Sequence, residues 1–349
     1  GGAAIRERLE TSMKPGARMA AVQDGALTHR LVRTASWRGT DMTLDEITTW
    51  MSAYRKDLET DPPDLVMFYG GRPPDWLIPG EARHLGIPSA AYLGNGSYND
   101  TRWCRDVDLI LTDTQATADL YRDRLGLSLQ PVGPFIDTGR VLSASHARSH
   151  VTFVSPTLAK GAALVAQLAL FLEEKRPDIR FEVVEGRGVW ADVLRRTSAA
   201  LGEERTELAN VTVTPNTRDM RPVYGRARIL LAPSLWWESA GRVAVEAMFN
   251  GIPVIATNRG GLPEMVGPGG YLIDIPEPFF EKPYSRLLPP PGLERIAGLV
   301  ESLHDDEDTY RQLSARAAAH ARETHRIERS TERLCAALRP YLGDLAAAA

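Results

Sequence analysis

The sequence predicts an α/β protein with two domains, each built on a parallel β-sheet that helices cover on both faces. The chain has 349 residues, about twice the length of a typical single domain. Short apolar runs, typical of buried strands, alternate along it with longer segments of helical periodicity. The same alternation starts again after residue 150, so each half has strands of its own and fits a separate α/β domain.

In the first half, three apolar runs predict strands at 64–69, 87–93 and 107–113. A helix is predicted over 44–60, where Leu44, Ile47, Met51, Tyr54 and Leu58 share one face. A doubly wound domain is expected to begin with a strand, whereas this chain runs from a glycine pair directly into a helical segment. Two interpretations stay open: the first strand lies upstream and is missing from this chain, or the domain is divergent.

In the second half, the predicted strands lie at 151–156, 179–186, 211–215, 227–234 and 252–257, and the predicted helices at 160–177, 190–201 and 241–250. The segment 130–150 is rich in Pro, Gly and Ser, and we predict the interdomain linker there. From about Gly292 onward the pattern is helical. The predicted domains are 1–140 and 150–325, followed by a C-terminal helix at 326–349. Two packing sites stay open for this helix: back on the N-terminal domain, or on the C-terminal domain.

Composition and charge exclude several classes of protein. The formal net charge is -4, whereas a nucleic-acid-binding protein carries a basic surplus. No run of 18 apolar residues predicts a transmembrane segment, and no signal-peptide pattern opens the chain. Cys104 and Cys335 are the two cysteines, and they show no metal-binding spacing. These features predict a cytoplasmic protein without a nucleic-acid partner.

The stretch from Pro233 to Glu264 places Glu238 and Glu246 eight positions apart, with Gly241 between them. One interpretation is an ordinary loop that leads into a helix. The other is the wall of a ligand site, because in open α/β sheets ligands bind beyond the carboxyl ends of the strands. A glycine lets the backbone approach a ligand, and the first turn of a helix attracts anions such as phosphate.

Other strand-end loops carry candidates for the same crevice. Lys160 follows the strand at 151–156 and stands where a helix begins, so its ammonium group suits a phosphate. Gly260 and Gly261 follow the strand at 252–257, where they suit either backbone contact with a ligand or a tight turn. All of these loops are expected to face one crevice, because they end strands of one parallel sheet.

The whole stretch "PSLWWESAGRVAVEAMFNGIPVIATNRGGLPEMVG", with "AKG" upstream of it, resembles the C-terminal domain of retaining glycosyltransferases of family 4. Their signature is a pair of glutamates separated by seven residues, matched here by Glu238 and Glu246. The resemblance implies the GT-B fold, in which two Rossmann-like domains face each other across a cleft. It also implies transfer of a sugar from a nucleotide sugar to a small-molecule or glycan acceptor, with retention of configuration and without a metal or other cofactor.

The resemblance also implies roles for individual residues. Glu238 would contact the hydroxyls of the donor sugar, and Lys160 would neutralise the leaving diphosphate. Glu246 would hold the ribose. The remaining donor-binding candidates are Ser239, Ala240, Gly241 and Arg242 on the same loop, Gly2 from the other domain, and Arg187.

Three positions depart from the family pattern. Ser155 stands where the family has Arg, and Arg187 or Arg242 is a candidate to compensate. Ala240 replaces a Phe, which predicts space beside the donor sugar. The expected N-domain His is absent, and Asn95 is the candidate on the acceptor side. Two alternatives stay open: a GT-B nucleotide-sugar epimerase, and a non-catalytic protein that binds nucleotide sugars.

Overall fold

The structure is a computed structural model of the chain that describes residues 2–14, 16–35, 41–69 and 73–342. Its internal contacts divide the chain into two units. Unit 1 comprises Gly1–Tyr92, Asp100–Ile110 and Tyr341–Ala349, and unit 2 comprises Leu93–Asn99 and Leu111–Pro340. Residues 130–150, the predicted linker, lie within unit 2 in this division.

Unit 1 contains a two-stranded hairpin, a parallel strand pair and three helices. Its elements, with the two strands in which the chain passes into unit 2, are α1 (Gly2–Ser12), β1 (Met19–Asp24), β2 (Leu27–Val32), α2 (Leu44–Thr60), β3 (Val66–Tyr69), α3 (Leu77–His84), β4 (Ser89–Leu93) and β5 (Leu109–Thr112). β1 pairs with β2 antiparallel, and β3 pairs with β4 parallel.

The predicted helix over 44–60 coincides with α2, whose first turn is fixed by a capping box between Thr43 and Glu46. Leu44, which the pattern assigns to the buried face, is 80% exposed, because it stands in this first turn. The hairpin of β1 and β2 was not predicted. Its residues are mostly exposed, so no buried apolar run marks it in the sequence.

Unit 2 contains the main sheet of the protein. Its elements are α4 (Gln115–Leu125), β6 (Gln130–Pro131), β7 (His150–Val154), α5 (Ala162–Lys175), β8 (Arg180–Val184), α6 (Trp190–Ala200), β9 (Val211–Thr214), α7 (Arg221–Arg226), β10 (Ala227–Ala232), α8 (Arg242–Phe249), β11 (Val254–Thr257), α9 (Leu262–Val266), β12 (Gly270–Ile273), α10 (Pro290–Asp305), α11 (Glu307–Thr324) and α12 (Ile327–Leu338).

Six strands form a parallel sheet in the order β12-β11-β10-β7-β8-β9. Counted from β7, this order is the 6-5-4-1-2-3 arrangement of the doubly wound Rossmann fold. The five strands predicted for this half are confirmed, whereas β12, a short strand that begins at Gly270, was not predicted. Buried apolar side chains form separate clusters. One contains Phe153 and Leu168, and another contains Leu230 and Met248.

The helical C-terminal region is confirmed as α10, α11 and α12. α12 contacts the loop after β6, where Ser330 Oγ donates a hydrogen bond to the Pro134 carbonyl at 2.7 Å. Tyr341 belongs to unit 1 and donates to the Asp108 carbonyl of the same unit at 3.1 Å. The "DLAAAA" end of the sequence lies outside the described residues.

Candidate functional site

The candidate site lies where the strand order of the six-stranded sheet reverses. β7 and β10 are neighbours, but β8 continues the sheet on one side and β11 on the other, and ligands of open α/β sheets bind beside such a reversal. The loop after β7 carries Lys160, and the loop after β10 carries Glu238. The N–H groups of Leu235 and Trp236 both donate to the Ala159 carbonyl, at 2.9 and 3.1 Å, and these bonds tie the two loops together.

Lys160 and Glu238 form an ion pair between the ammonium Nζ and the carboxylate Oε1. Ser234 Oγ donates to the same carboxylate oxygen at 2.5 Å. The Lys160 Nζ also lies 5.5 Å from the centroid of the Trp236 ring. The Glu238 side chain is 8% exposed and that of Lys160 32%, and a buried carboxylate is costly without such donors. The structure thus brings together two residues that the sequence assigned to one crevice.

Three further strand-end loops hold the backbone around Glu238. Asn95, which follows β4, forms an antiparallel bridge with Glu238. Gly261, which follows β11, donates its N–H to the Glu238 carbonyl at 2.8 Å. Thr114, which follows β5, donates its hydroxyl to the carbonyl of the buried Ser239 at 2.9 Å. The position of Glu238 is therefore set by loops from distant parts of the sequence.

Glu246 lies in the second turn of α8 and is largely buried, with 13% of its side chain exposed. Tyr224 donates its hydroxyl to Oε2 at 2.7 Å, and the Arg242 guanidinium lies 3.6 Å from Oε1. Burial, followed by the Glu246 carboxylate, raises the pKa of Tyr224 well above its usual value, so the phenol keeps the proton it donates. Oε1, which has no short hydrogen bond among the described residues, is the oxygen available to a ligand hydroxyl.

The helices α5 and α8 both begin at the carboxyl edge of the sheet, and their N-caps are glycines without a side-chain cap. Gly161 precedes α5 with φ +81°, and a Cβ there would lie 2.0 Å from the Pro233 carbonyl oxygen. Gly241 precedes α8 with φ +62°, and its Cβ would lie 2.4 Å from a methyl carbon of Leu262. Both glycines therefore make room for the protein's own chain, while the first amides of both helices lack a side-chain acceptor.

Ala240 does not border open space. It is 5% exposed and belongs to a buried apolar cluster that includes Val245 and Leu262. The space that the sequence predicts beside this methyl group is filled by the protein.

The side chains of two predicted site residues, Arg187 and Asn95, have no hydrogen bond or ion pair with the Lys160–Glu238 pair within the described residues. Arg187 is exposed on the loop after β8, and its neighbour Gly186 would place a Cβ 2.7 Å from Ser155 Oγ. The backbone next to Arg187 therefore lies close to the Ser155 side chain. The Asn95 side-chain oxygen accepts from the Ser97 N–H at 2.9 Å. Gly2 opens α1 in unit 1, and Gly1 lies outside the described residues.

Trp237 and Arg259 are among the residues of the site that were not predicted from the sequence. Trp237 donates its indole N–H to Thr117 Oγ1 at 3.2 Å, and a Cβ on Gly96 would lie 2.7 Å from its ring. Arg259 follows β11 and stacks on Phe280, with its guanidinium carbon 3.8 Å from the ring centroid. Its signal in the sequence was a cation directly before the glycine pair at a strand end.

The fold is α/β with parallel sheets and is of the GT-B type. Residues 148–283, which contain the β7 to β12 sheet, match the family model described as "Glycosyl transferases group 1". This match includes Lys160, Glu238 and Glu246. Glycosyltransferase similarity therefore covers the part of the chain that builds the candidate site.

Individual relatives agree with this match. The chain is 27% identical over 134 residues to spore coat protein SA of Bacillus subtilis (strain 168), covering 37% of this chain and 36% of that protein. It is 29% identical over 170 residues to D-inositol 3-phosphate glycosyltransferase of Corynebacterium glutamicum (strain R), covering 47% of this chain and 36% of that protein. The chain thus spans about a third of the length of these curated relatives.

A similar solved structure is that of Anabaena Alr3699/HepE in complex with UDP and glucose. The TM-score is 0.67 at 16% sequence identity, over 85% of this chain and 82% of that chain. At this level of identity the likeness concerns the fold.

Two other features of the described residues bear on binding. One group there has the geometry of metal ligands, Asp178, His304 and Asp305, but Arg176 already donates to both carboxylates, at 2.9 and 2.8 Å. Asp178 precedes β8, at the sheet edge opposite Lys160. No helix in the described part of the chain is long and apolar enough to cross a membrane.

Proposed function

We propose that the protein is a retaining glycosyltransferase that moves a sugar from a nucleoside-diphosphate sugar to a hydroxyl group of a small molecule or glycan. The observation that carries the proposal is the Lys160–Glu238 pair at the strand-order reversal, with Glu246 on the helix that follows. The similarity of residues 148–283 to glycosyltransferases supports it. The UDP and glucose bound in HepE, whose fold is similar, agree with a nucleotide-sugar donor.

In the proposed complex, each group of the donor has a protein partner. The diphosphate binds at the Lys160 ammonium and the open N-termini of α5 and α8. Glu246 accepts hydrogen bonds from the ribose hydroxyls, and Glu238 accepts them from the sugar. Ser239, Gly241 and Arg242 line the same loop.

The chemistry follows from charge that develops on the leaving group. When the bond between the anomeric carbon and the diphosphate oxygen breaks, the diphosphate takes the electron pair and the sugar becomes oxocarbenium-like. Cations and amide dipoles that are already in place stabilise the leaving phosphate without reorganisation. The acceptor hydroxyl oxygen then attacks the face that the phosphate left and gives its proton to the departing diphosphate, so configuration is retained. We expect no metal to be required, because Lys160 and the helix N-termini carry this role.

The test is a donor screen with UDP-, GDP- and ADP-sugars in which the released nucleoside diphosphate is measured. We expect one donor class to be consumed, and Lys160→Ala to lower turnover by about 100- to 1,000-fold. Lys175→Ala, on the exposed end of the same helix α5, is the matched control and should leave turnover unchanged. Addition of EDTA should also have no effect.

The same screen separates the two alternatives. Conversion of the nucleotide sugar into its epimer, without transfer, would indicate an epimerase. Binding without turnover across a broad set of acceptors would indicate a non-catalytic binding protein. NMR of the product anomer tests retention, and an inverted product would contradict the proposed mechanism. The cytoplasmic location that the sequence predicts stays a prediction.

A further inference from the structure

Arg259 occupies a strand-end loop that contacts the candidate site from the β11 side. It is the second residue after β11, and its backbone N–H donates to the Thr257 carbonyl at 2.8 Å. Its guanidinium carbon lies 3.8 Å from the Phe280 ring centroid and 5.9 Å from that of Trp237. Two aromatic rings therefore restrict where this cation can point, and such stacking favours Arg over Lys.

The guanidinium group is only partly neutralised by the protein. Its Nε is buried and has no hydrogen-bond partner within the described residues. Its ion pair with Glu277 is 3.7 Å long, and the Glu277 side chain is 84% exposed, so this pair is weak. The Arg259 side chain itself is only 24% exposed. A mostly buried cation with an unused donor is expected to have a further anionic partner.

Arg259 and Lys160 make contacts of the same kind, because each cation lies near a tryptophan ring of the loop after β10. Lys160 lies against Trp236 and pairs with Glu238, while Arg259 lies against Trp237, the residue between them. The loop of Arg259 is fixed to the same residue, because the N–H of the nearby Gly261 donates to the Glu238 carbonyl at 2.8 Å. Two cations thus approach the Glu238 loop from the two sides of the strand-order reversal.

We propose that Arg259 is a second cation for the diphosphate of the donor, in place of the arginine that the resemblance leads one to expect at Ser155. This inference rests on the proposed function. A nucleoside diphosphate carries more negative charge than the Lys160 ammonium can balance, particularly once the sugar has left. The guanidinium group of Arg259, whose side chain remains partly exposed, supplies charge-assisted hydrogen bonds to phosphate oxygens.

A purely structural role for Arg259 makes different predictions. In that role Arg259 stabilises its loop through the contact with Phe280 and the ion pair with Glu277. Its loss would then destabilise the loop and weaken the binding of every ligand. In the proposed role its loss weakens only ligands that carry a diphosphate. Removal of Glu277 would then leave diphosphate affinity unchanged or slightly raised, because a competing carboxylate is gone.

The experiment is calorimetric titration of the intact protein with UDP, GDP and ADP and with the matching nucleosides. For the diphosphate that binds, we expect Arg259→Gln to weaken affinity by about 10- to 100-fold and to leave nucleoside affinity within about two-fold. Arg259→Lys keeps the positive charge but loses the planar group that stacks on Phe280. Its diphosphate affinity should lie between those of the unchanged protein and of Arg259→Gln. Glu277→Gln tests the structural alternative, and Arg218→Gln removes a cation from the exposed loop after β9 as the matched control.

The outcomes separate the two proposals. If none of the three diphosphates binds the unchanged protein, the proposed function fails and this inference fails with it. If a diphosphate binds but Arg259→Gln weakens it no more than Arg218→Gln does, only the role of Arg259 is overturned. An equal loss of nucleoside and diphosphate affinity also overturns it, because that pattern belongs to a structural role. Nucleoside affinity also reports whether the variant is folded.

Discussion

Lys160 and Glu238 pair with each other across the strand-order reversal of unit 2, so the ammonium group proposed to meet a phosphate already has a carboxylate partner. The carboxylate also accepts a hydrogen bond from Ser234, and the Glu238 backbone forms a bridge with Asn95. A donor diphosphate would therefore compete with Glu238 for Lys160, and the sugar hydroxyls would then donate hydrogen bonds to the Glu238 carboxylate. This exchange can be measured directly.

Glu238→Gln should change diphosphate affinity and turnover of the sugar donor in opposite directions. Removal of the carboxylate leaves Lys160 free, so we expect affinity for the bare nucleoside diphosphate to rise by about three- to ten-fold. Turnover of the sugar donor should fall by about 100-fold, because the amide accepts sugar hydroxyl bonds less strongly. Glu174→Gln on the exposed face of α5 is the control. Unchanged diphosphate affinity in Glu238→Gln would contradict competition for Lys160.

Glu246→Gln should remove recognition of the ribose. Oε1 of this carboxylate, which has only the 3.6 Å ion pair with Arg242, is the proposed acceptor for ribose hydroxyls, since Tyr224 donates to Oε2. We expect the protein to prefer a ribonucleoside diphosphate over its 2′,3′-dideoxy analogue by about ten-fold or more, and the variant to lose most of this preference. Tyr224→Phe should have an intermediate effect. Equal preferences in the variant and the unchanged protein would place the ribose elsewhere.

Gly161→Ala should destabilise the protein strongly. The φ of +81° costs a non-glycine residue about 1 to 3 kcal/mol, and the new methyl group would also meet the Pro233 carbonyl, so the loops after β7 and β10 must separate. Gly202→Ala is the matched control, because Gly202 has φ +108° with no atom near its Cβ position. Urea unfolding should show a larger loss for Gly161→Ala, and similar losses would exclude a steric effect.

Ala240→Phe tests the packing beside the site. The family pattern has an aromatic residue at this position, but here the methyl group is buried in an apolar cluster. We expect the substitution to lower the free energy of unfolding by about 1 to 3 kcal/mol through overpacking. Ala240→Ser, of similar volume, should change the donor preference little. A stable Ala240→Phe variant with altered sugar preference would show that the side chain reaches the donor.

The stability of unit 2 should fall with acid through His325. This residue is buried, its Nε2 lies 2.9 Å from the Met265 carbonyl, and its ring is edge-on to His320. Burial lowers the pKa of His325 from 6.5 to about 4, against a smaller raising effect of the Met265 bond. The unfolded chain therefore takes up the proton first as pH falls, and stability is lost between these two values, with full stability above the higher one.

The size of the expected stability loss follows from the lowered pKa of His325, and an exposed histidine serves as the control. The loss attributable to His325 is at most about 3 kcal/mol, since each pKa unit corresponds to about 1.4 kcal/mol. Urea unfolding at about pH 7.5 and about pH 5 should show this slope in the unchanged protein and in His84→Gln, an exposed control. His325→Gln should flatten it, and an unaltered slope would mean that another group is responsible.

The sequence predicted the strands of unit 2 because β7 and β10 are buried on both faces and read as apolar runs. It also predicted that Lys160 and Glu238 share an edge, since parallel strands end together. It could not predict that they pair directly, because they lie 78 positions apart and their contact depends on strand order. Tyr224, Asn95 and Arg259 were assigned no such contacts for the same reason.

The packing of Ala240 shows a second limit of the sequence. A small side chain where the resemblance implies a Phe suggests a gap, but neighbouring side chains, among them Leu262, fill it here. The hairpin of β1 and β2 shows the opposite case, because a strand whose residues are mostly exposed has no apolar pattern to find. Both predictions missed the structure because packing and exposure depend on the surroundings of a residue, which its own identity does not specify.

The glycine N-caps of α5 and α8 give the crevice an attraction for anions that no change of pH can remove. The amide dipoles at these helix starts carry no titratable proton, unlike the lysine beside them. Lys160→Ala, which removes the ammonium group, would leave this backbone contribution in place. Anion affinity at this edge should consequently fall in that variant to a lower level rather than vanish.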